Sequence, residues 1–310
     1  MALVLFHQNM RRFGGGADAR VRAYDGIAPP LGSLKPTWPQ GVCPVQGSFG
    51  FPAIAQAVAM THGLPALTFA AIGLTELTNE GATLPAAFRL SETLVQRAPI
   101  RMFCFNCGQT GSGIREYATI AVPWWVGVLA LGRVATGAKG SYVDEVTGPP
   151  FRPEAWSALP EGASRDWRFV VYAVLSLGAA PFAVGFLHNT YSLESKTSTD
   201  LRMPFIVDRI WDNAVATPRH VFVGGDFNVP PHNPNSRRPL IPHFIPTEAN
   251  IPCPFGGTTG GTTWWGSLYD YWLSDLPWGT PNMQAALSTA TWDGEDGLMS
   301  DHVAIMLQIA

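Results

Sequence analysis

The stretch His220-Val221-Phe222-Val223-Gly224-Gly225-Asp226-Phe227-Asn228 limits the fold more than any other part of the chain. Its β-branched and aromatic residues read as a buried strand running into a glycine pair. A carboxylate and a carboxamide follow, two residues apart. In a strand interior both would carry a desolvation cost, but at a strand end this spacing lets them share one cleft. There the carboxylate can ligate a hard cation or orient water, and the amide can hold a substrate oxygen without adding charge. The stretch therefore leans toward a metal-assisted hydrolase with its cleft near a strand end.

Other segments repeat this pattern of polar residues beside apolar runs. His7-Gln8-Asn9-Met10 follows a short first strand over Leu3 to Phe6, and Glu76 closes the run that starts at Leu67. Leu187-His188-Asn189 ends another run. Leu268-Tyr269-Asp270-Tyr271 and Ser300-Asp301-His302 come late, the second just before the apolar stretch Val303 to Leu307. Taken in order with Gly225-Asp226-Phe227-Asn228, these segments resemble the endonuclease/exonuclease/phosphatase superfamily, the DNase I-like hydrolases, over nearly the whole chain.

The resemblance implies a fold class: an α/β four-layer α/β/β/α sandwich, with two mixed β-sheets packed together and helices outside. It implies a single catalytic domain over residues 1–310, with Mg2+ as the cofactor and Mn2+ as a substitute. Asn9, Glu76 and Asp301 are the implied metal residues. His188, Asp226, Asn228, Asp270, Asp301 and His302 are the implied catalytic set, in which Asp301 and His302 form the base-side pair and His188 lies on the opposite side of the phosphate. Imidazole suits both positions because modest changes of environment bring its proton affinity near neutrality. The remaining histidines, His7, His62, His220, His232 and His243, have ordinary loop, helix or strand-edge explanations.

Composition narrows the substrate less than the motifs narrow the reaction. The formal net charge is −3, so no global basic field recruits nucleic acid, although a bound divalent ion can invert the field in a cleft. Lys35, Lys139 and Lys196 are the only lysines, which leaves arginine as the main phosphate contact. Arg237 and Arg238 in a Pro-rich loop, with Trp264 and Trp265 in a Gly-rich one, are the candidate substrate residues; they offer charge contact and a stacking face. These features favour a nuclease acting on DNA. A phosphoinositide or small-molecule phosphatase and an inactive phosphate-binding module are the alternatives. Leu74-Thr75-Glu76-Leu77 lacks the Gln that commonly precedes the family's Glu, which points away from a conventional repair nuclease.

The remaining features are consistent with a globular enzyme. Phe169 to Leu187 is long and uncharged, but Gly178-Ala179-Ala180-Pro181 breaks it into two strands rather than one membrane span. The opening lacks a secretory pattern, so the expectation is a soluble protein, cytoplasmic or delivered by a nonclassical route, with no obligate protein partner. Cys104-Phe105-Asn106-Cys107 has no second pair to complete a zinc site, and core or solitary thiols are the simpler reading for these two and for Cys43 and Cys253. Helical spacing is expected around Ile54 to His62, over Pro85 to Arg97 and over Met203 to Trp211.

Overall fold

The computed structural model describes residues 3–13, 68–79, 100–109, 115–123, 125–137, 140–147, 151, 159, 168–177, 181–189, 220–228, 230, 245–247, 268–274, 282–286, 302 and 304–309. Among them lie thirteen strands: β1 (Leu3–Phe13), β2 (Thr68–Asn79), β3 (Ile100–Gln109), β4 (Arg115–Pro123), β5 (Gly127–Gly137), β6 (Gly140–Thr147), β7 (Arg168–Ser176), β8 (Phe182–His188), β9 (His220–Asp226), β10 (Ile245–Thr247), β11 (Asp270–Ser274), β12 (Asn282–Ala286) and β13 (Ala304–Ile309). They form two sheets. One has the order β12-β13-β1-β2-β4-β3 and the other β10-β11-β9-β8-β7-β5-β6.

Each sheet has one parallel pair among antiparallel neighbours, β1 with β2 in the first and β8 with β9 in the second. Parallel pairing suits strands with near-continuous apolar runs, because both of their faces must be covered. β8 meets this condition, with Phe182 to Leu187 all buried. The sheets pack face to face, β1 against β9, β2 against β8 and β3 against β7. The core between them draws Leu5, Phe105 and Ile120 from one sheet and Val171, Phe186, Phe222 and Trp272 from the other.

The expected four-layer α/β/β/α sandwich is overturned here. Every regular element among the described residues is a strand, and no helix is present among them. For these residues sheet packs on sheet across the inner faces, and the periodicity that suggests helices falls outside them. The three expected helices, near residues 54–62, 85–97 and 203–211, lie outside the described residues. The uncharged stretch is two antiparallel strands, Val170 facing Leu187 and Leu175 facing Phe182. No helix among the described residues is long and apolar enough to cross a membrane. Cys104 and Cys107 are buried, while Cys43 and Cys253 lie outside the described residues.

Arg133 ties the two sheets together from within. It is buried on β5 and donates through Nη1 to the carbonyl of Asn106 on β3, 2.7 Å away. Its Nε and Nη2 close a fork on Asp144 of β6, at 3.1 and 2.6 Å to Oδ2. A buried guanidinium is tolerated only when its donors are met in this way.

The register places the site. On β9, Asp226 faces His188 of β8 on one side and Asp270 of β11 on the other. Two residues back, Gly224 faces Phe186 and Trp272. Alternation along a strand puts these two rows on one face, so a polar row at the strand ends sits above an aromatic row. Trp272 lies 2.7 Å from where a Cβ at 224 would stand. The glycine leaves the space that the indole fills. At Gly225 a Cβ would meet the carbonyl oxygen of Leu187 at 2.1 Å, so β8 and β9 can pair as they do only without a side chain there.

Candidate active site

Asp226 is the centre of the polar row. The chain turns immediately after it, and Asn228 adopts a left-handed backbone with φ of 53°. Asn accepts that region more readily than most residues, and here Asp226 closes an Asx-type turn, its Oδ1 accepting from the Asn228 N–H at 2.8 Å. Phe227 between them is fully buried and stacks on Tyr271, with centroids 4.1 Å apart. Asn189 secures the turn from the end of β8: its N–H donates to the Asp226 carbonyl at 2.8 Å and its Nδ2 to the Phe227 carbonyl at 3.0 Å. Asn228 answers by donating its amide to the Asn189 carbonyl at 2.6 Å.

Four side chains converge on Asp226 Oδ2. Asn9 Nδ2, from the opposite sheet, donates to it at 3.0 Å, and Asn228 Nδ2 lies 3.3 Å away. His188 Nε2 approaches to 3.8 Å and His302 Nε2 to 3.7 Å. Each imidazole is held from behind by a carboxylate. His188 Nδ1 bonds Glu116 Oε1 at 2.6 Å, and His302 Nδ1 bonds Asp270 Oδ2 at 2.8 Å. Glu76 joins from β2, its Oε2 3.8 Å from His188 Nε2.

The electrostatics follow from this crowding. Burial pushes the Asp226 carboxyl above its ordinary range; the His302 charge opposes that shift and the Asp270 charge adds to it. Burial alone would lower the His188 pKa. The charges of Glu116, Glu76 and Asp226 together outweigh burial and raise it to about 9.

The sequence profile of the endonuclease/exonuclease/phosphatase family matches residues 72–302, a span that contains His188, Asp226, Asp270 and His302. The chain belongs to this family. No curated protein sequence matches it. Solved structures resemble it in fold. The human Nocturnin catalytic domain with bound sulfate anion is 11% identical with a TM-score of 0.53, over 99% of this chain and 93% of that one. The endonuclease/exonuclease/phosphatase from Bacteroides vulgatus is 12% identical with a TM-score of 0.53, over 100% and 99%. Truncated Caenorhabditis elegans TDP2 is 11% identical with a TM-score of 0.51, over 99% and 97%.

Family membership and the buried Asp226, Asp270 and His302 cluster make this endonuclease/exonuclease/phosphatase chain a metal-dependent phosphoesterase. The donor set fits a divalent cation. Asp226, Asp270 and His302 each offer one ligand atom, all within 4.8 Å of one another. Burial first, and then the Asp270 charge, raise the Asp226 pKa, and a hard cation bound here would offset both.

Of the expected site residues, the structure gathers Asn9, Glu76, His188, Asp226, Asn228, Asp270 and His302 at one place. Asp301, Arg237, Arg238, Trp264 and Trp265 lie outside the described residues. The partner seen on His302 is Asp270, from β11. Glu76 does not end its strand. β2 continues to Asn79 through an irregularity between Leu74 and Leu77.

Two residues escape a reading of the sequence. Glu116 is 2% exposed and holds His188. His7 is fully buried, its Nε2 bonded to Thr75 Oγ1 at 2.9 Å and its ring stacked on Phe186 at 6.0 Å. Burial, helped by the nearby His302 and His188 charges, lowers the His7 pKa to about 3. An unfolded histidine titrates near 6.5, so the unfolded chain takes up this proton first. The neutral ring's contribution to stability is therefore complete above about pH 6.5 and is lost as pH falls toward 3. Chemical denaturation should show His7→Gln losing about 2 kcal/mol less than the parent between about pH 7.5 and pH 5. Parallel losses in the two proteins would show that His7 takes up its proton while folded.

Proposed function

We propose that this chain is a phosphodiester hydrolase acting on nucleic acid, with DNA as the preferred substrate and Mg2+, or Mn2+ in its place, as the cofactor. One observation carries the reading: two imidazoles, each braced by its own carboxylate, reach the same Asp226 oxygen at nearly equal distances, 3.8 and 3.7 Å. An in-line displacement at phosphorus needs a proton acceptor on the attacking side and a donor on the leaving side. A pair of braced histidines facing one point meets both needs.

In this reading His302, with Asp270 fixing its ring, accepts the proton of the attacking water at Nε2. His188, whose charged form Glu116 and Glu76 favour, donates at Nε2 to a phosphoryl or leaving oxygen. Asp226 and Asn228 orient the phosphate and water through the turn that fixes them. Glu76, Asn9 and Asp301 are assigned to the metal in this reading, which keeps His302 Nε2 for the proton rather than for the cation; when bound, the metal neutralises charge on the phosphoryl oxygens. Arg237, Arg238, Trp264 and Trp265 are assigned to the nucleic acid, by contact with backbone phosphate and by stacking.

The test is a matched turnover panel with Mg2+ and with Mn2+, containing single- and double-stranded DNA, RNA, phosphoinositides, sphingomyelin and soluble inositol phosphates. Metal-dependent internal cleavage of DNA, faster than turnover of any other member, is expected. Release of inorganic phosphate from an inositol phosphate with both nucleic acids left whole would overturn the substrate while keeping the metal site. Saturable binding without turnover of anything would overturn the enzyme.

A further inference from the structure

Glu76 stands at a break in the pairing of β2 with both of its neighbours. From Ala71 to Thr75, β2 pairs in step with β1, Leu5 facing Ala71, His7 facing Gly73 and Asn9 facing Thr75. Beyond Thr75 the pairing slips on both sides: the next partner on β1 is Phe13 facing Leu77, and on β4 the step from Leu74 to Leu77 spans Thr119 to Tyr117. Glu76 occupies the slip with φ of 53°, a left-handed backbone that a non-glycine residue keeps only when its surroundings hold it. Bulges of this kind re-aim a side chain. Here the re-aimed carboxylate comes to 3.8 Å from His188 Nε2.

The residue on which the bulge begins is fixed from β1. Thr75 is 1% exposed, and its hydroxyl bonds the His7 ring across the β1–β2 pair at 2.9 Å. His7 is itself immobilised. Its ring stacks on Phe186, which occupies the space that Gly73 leaves open, and Phe186 meets Trp272 edge-on at 5.9 Å. His7 Nδ1 is buried and makes no hydrogen bond. An imidazole with one nitrogen bonded and the other buried bare is a poor choice for filling space alone, since Phe or Leu would fill it without that cost. The ring is explained by the bond it makes.

We propose that His7 is a positioning residue that sets the Glu76 carboxylate for metal binding through the Thr75 hydroxyl. The proposal rests on the assignment of Glu76 to the metal. The three histidines then divide the work, with His188 and His302 facing the reacting phosphate while His7, one aromatic row below, aims a ligand. Partners of this kind, one bond behind the ligand, tune metal affinity as well as geometry.

The experiment is Mn2+ binding to the metal-free full-length protein without substrate, by calorimetry and by the electron paramagnetic resonance of free Mn2+, with circular dichroism and thermal melts alongside. His7→Phe keeps a ring against Phe186 and removes the bond. It should raise the Mn2+ Kd by about tenfold or more with the fold retained. His7→Gln carries a nitrogen at the position of Nε2 and should return the Kd to within about threefold of the parent. Thr75→Val, of the same shape without the hydroxyl, should match His7→Phe, and the double variant should be no worse than either. Parental affinity in folded His7→Phe, or an equal loss in folded His7→Gln, would overturn the proposal. Should His7→Phe not fold, Thr75→Val decides alone, and parental affinity there overturns it. Glu76→Gln in the same assay tests the ligand itself: parental affinity in that variant removes Glu76 from the metal, and the proposal with it. Failure to cleave nucleic acid leaves these Kd values as they are.

Discussion

His302→Gln lowers phosphodiester turnover by about a thousandfold while the circular dichroism spectrum and melting temperature stay close to the parent's. The ring makes its bond to Asp270 through Nδ1, which leaves Nε2 directed at Asp226 and at whatever phosphate or water lies beside it. Gln keeps a polar side chain of similar reach but cannot take up a proton near neutral pH. His188→Gln should fall to a similar level, because its Nε2 faces the same oxygen from β8. Combining the two should cost more than either single change but less than the product of both, since residues that serve one transition state are non-additive. Single-turnover kinetics on saturating substrate, with the fold checked in parallel, is the measurement. Parental turnover in a folded His302→Gln protein would remove that residue from the chemistry.

Glu76→Gln should abolish metal-dependent turnover, by about a thousandfold or more, through a different route. The amide keeps the shape and the left-handed turn but loses the negative charge, and with it a hard ligand for the cation. A second readout needs no substrate. A ligand bound by the folded chain alone raises stability by about 2.7 kcal/mol at roughly a hundredfold excess over its Kd, so Mg2+ should raise the melting temperature of the parent. The same addition should leave Glu76→Gln unmoved. A Mg2+-dependent rise equal to the parent's in the variant would place the cation elsewhere in the cleft.

Much of the site is legible in the sequence because each element of it stands where an apolar run stops. His188 ends β8, Asp226 ends β9 and Asp270 opens β11, and several polar residues at such boundaries, in the family's order, mark a cleft where one alone would not. Glu116 lacks that mark. It sits in Arg115-Glu116-Tyr117, which reads as the polar opening of a strand, and its partner His188 lies 72 positions later. His7 looks like an ordinary strand residue because its value depends on Thr75, 68 positions away.

The fold is less legible than the site. β6 is hard to read because Asp144 and Glu145 stand side by side in it; the structure uses the first to neutralise Arg133 and the second to accept from Tyr172 at 2.5 Å. The apolar pattern of β1 stops at Phe6 and the strand runs to Phe13, since Gln8, Arg11 and Arg12 do not resemble a buried strand. The helix layers rest on resemblance and periodicity, and periodicity alone is weak wherever apolar runs are short.

The bond from Asn9 to Asp226 spans 217 positions and joins one sheet to the other. During synthesis, β1 precedes β8, β9 and β11, so Asn9 waits for them before it meets its partner, and His302 follows all of them in the chain. No shorter nascent chain therefore assembles the cluster, however well its early strands pair. A phosphoesterase built this way has its full cluster only once the segment carrying His302 has been made.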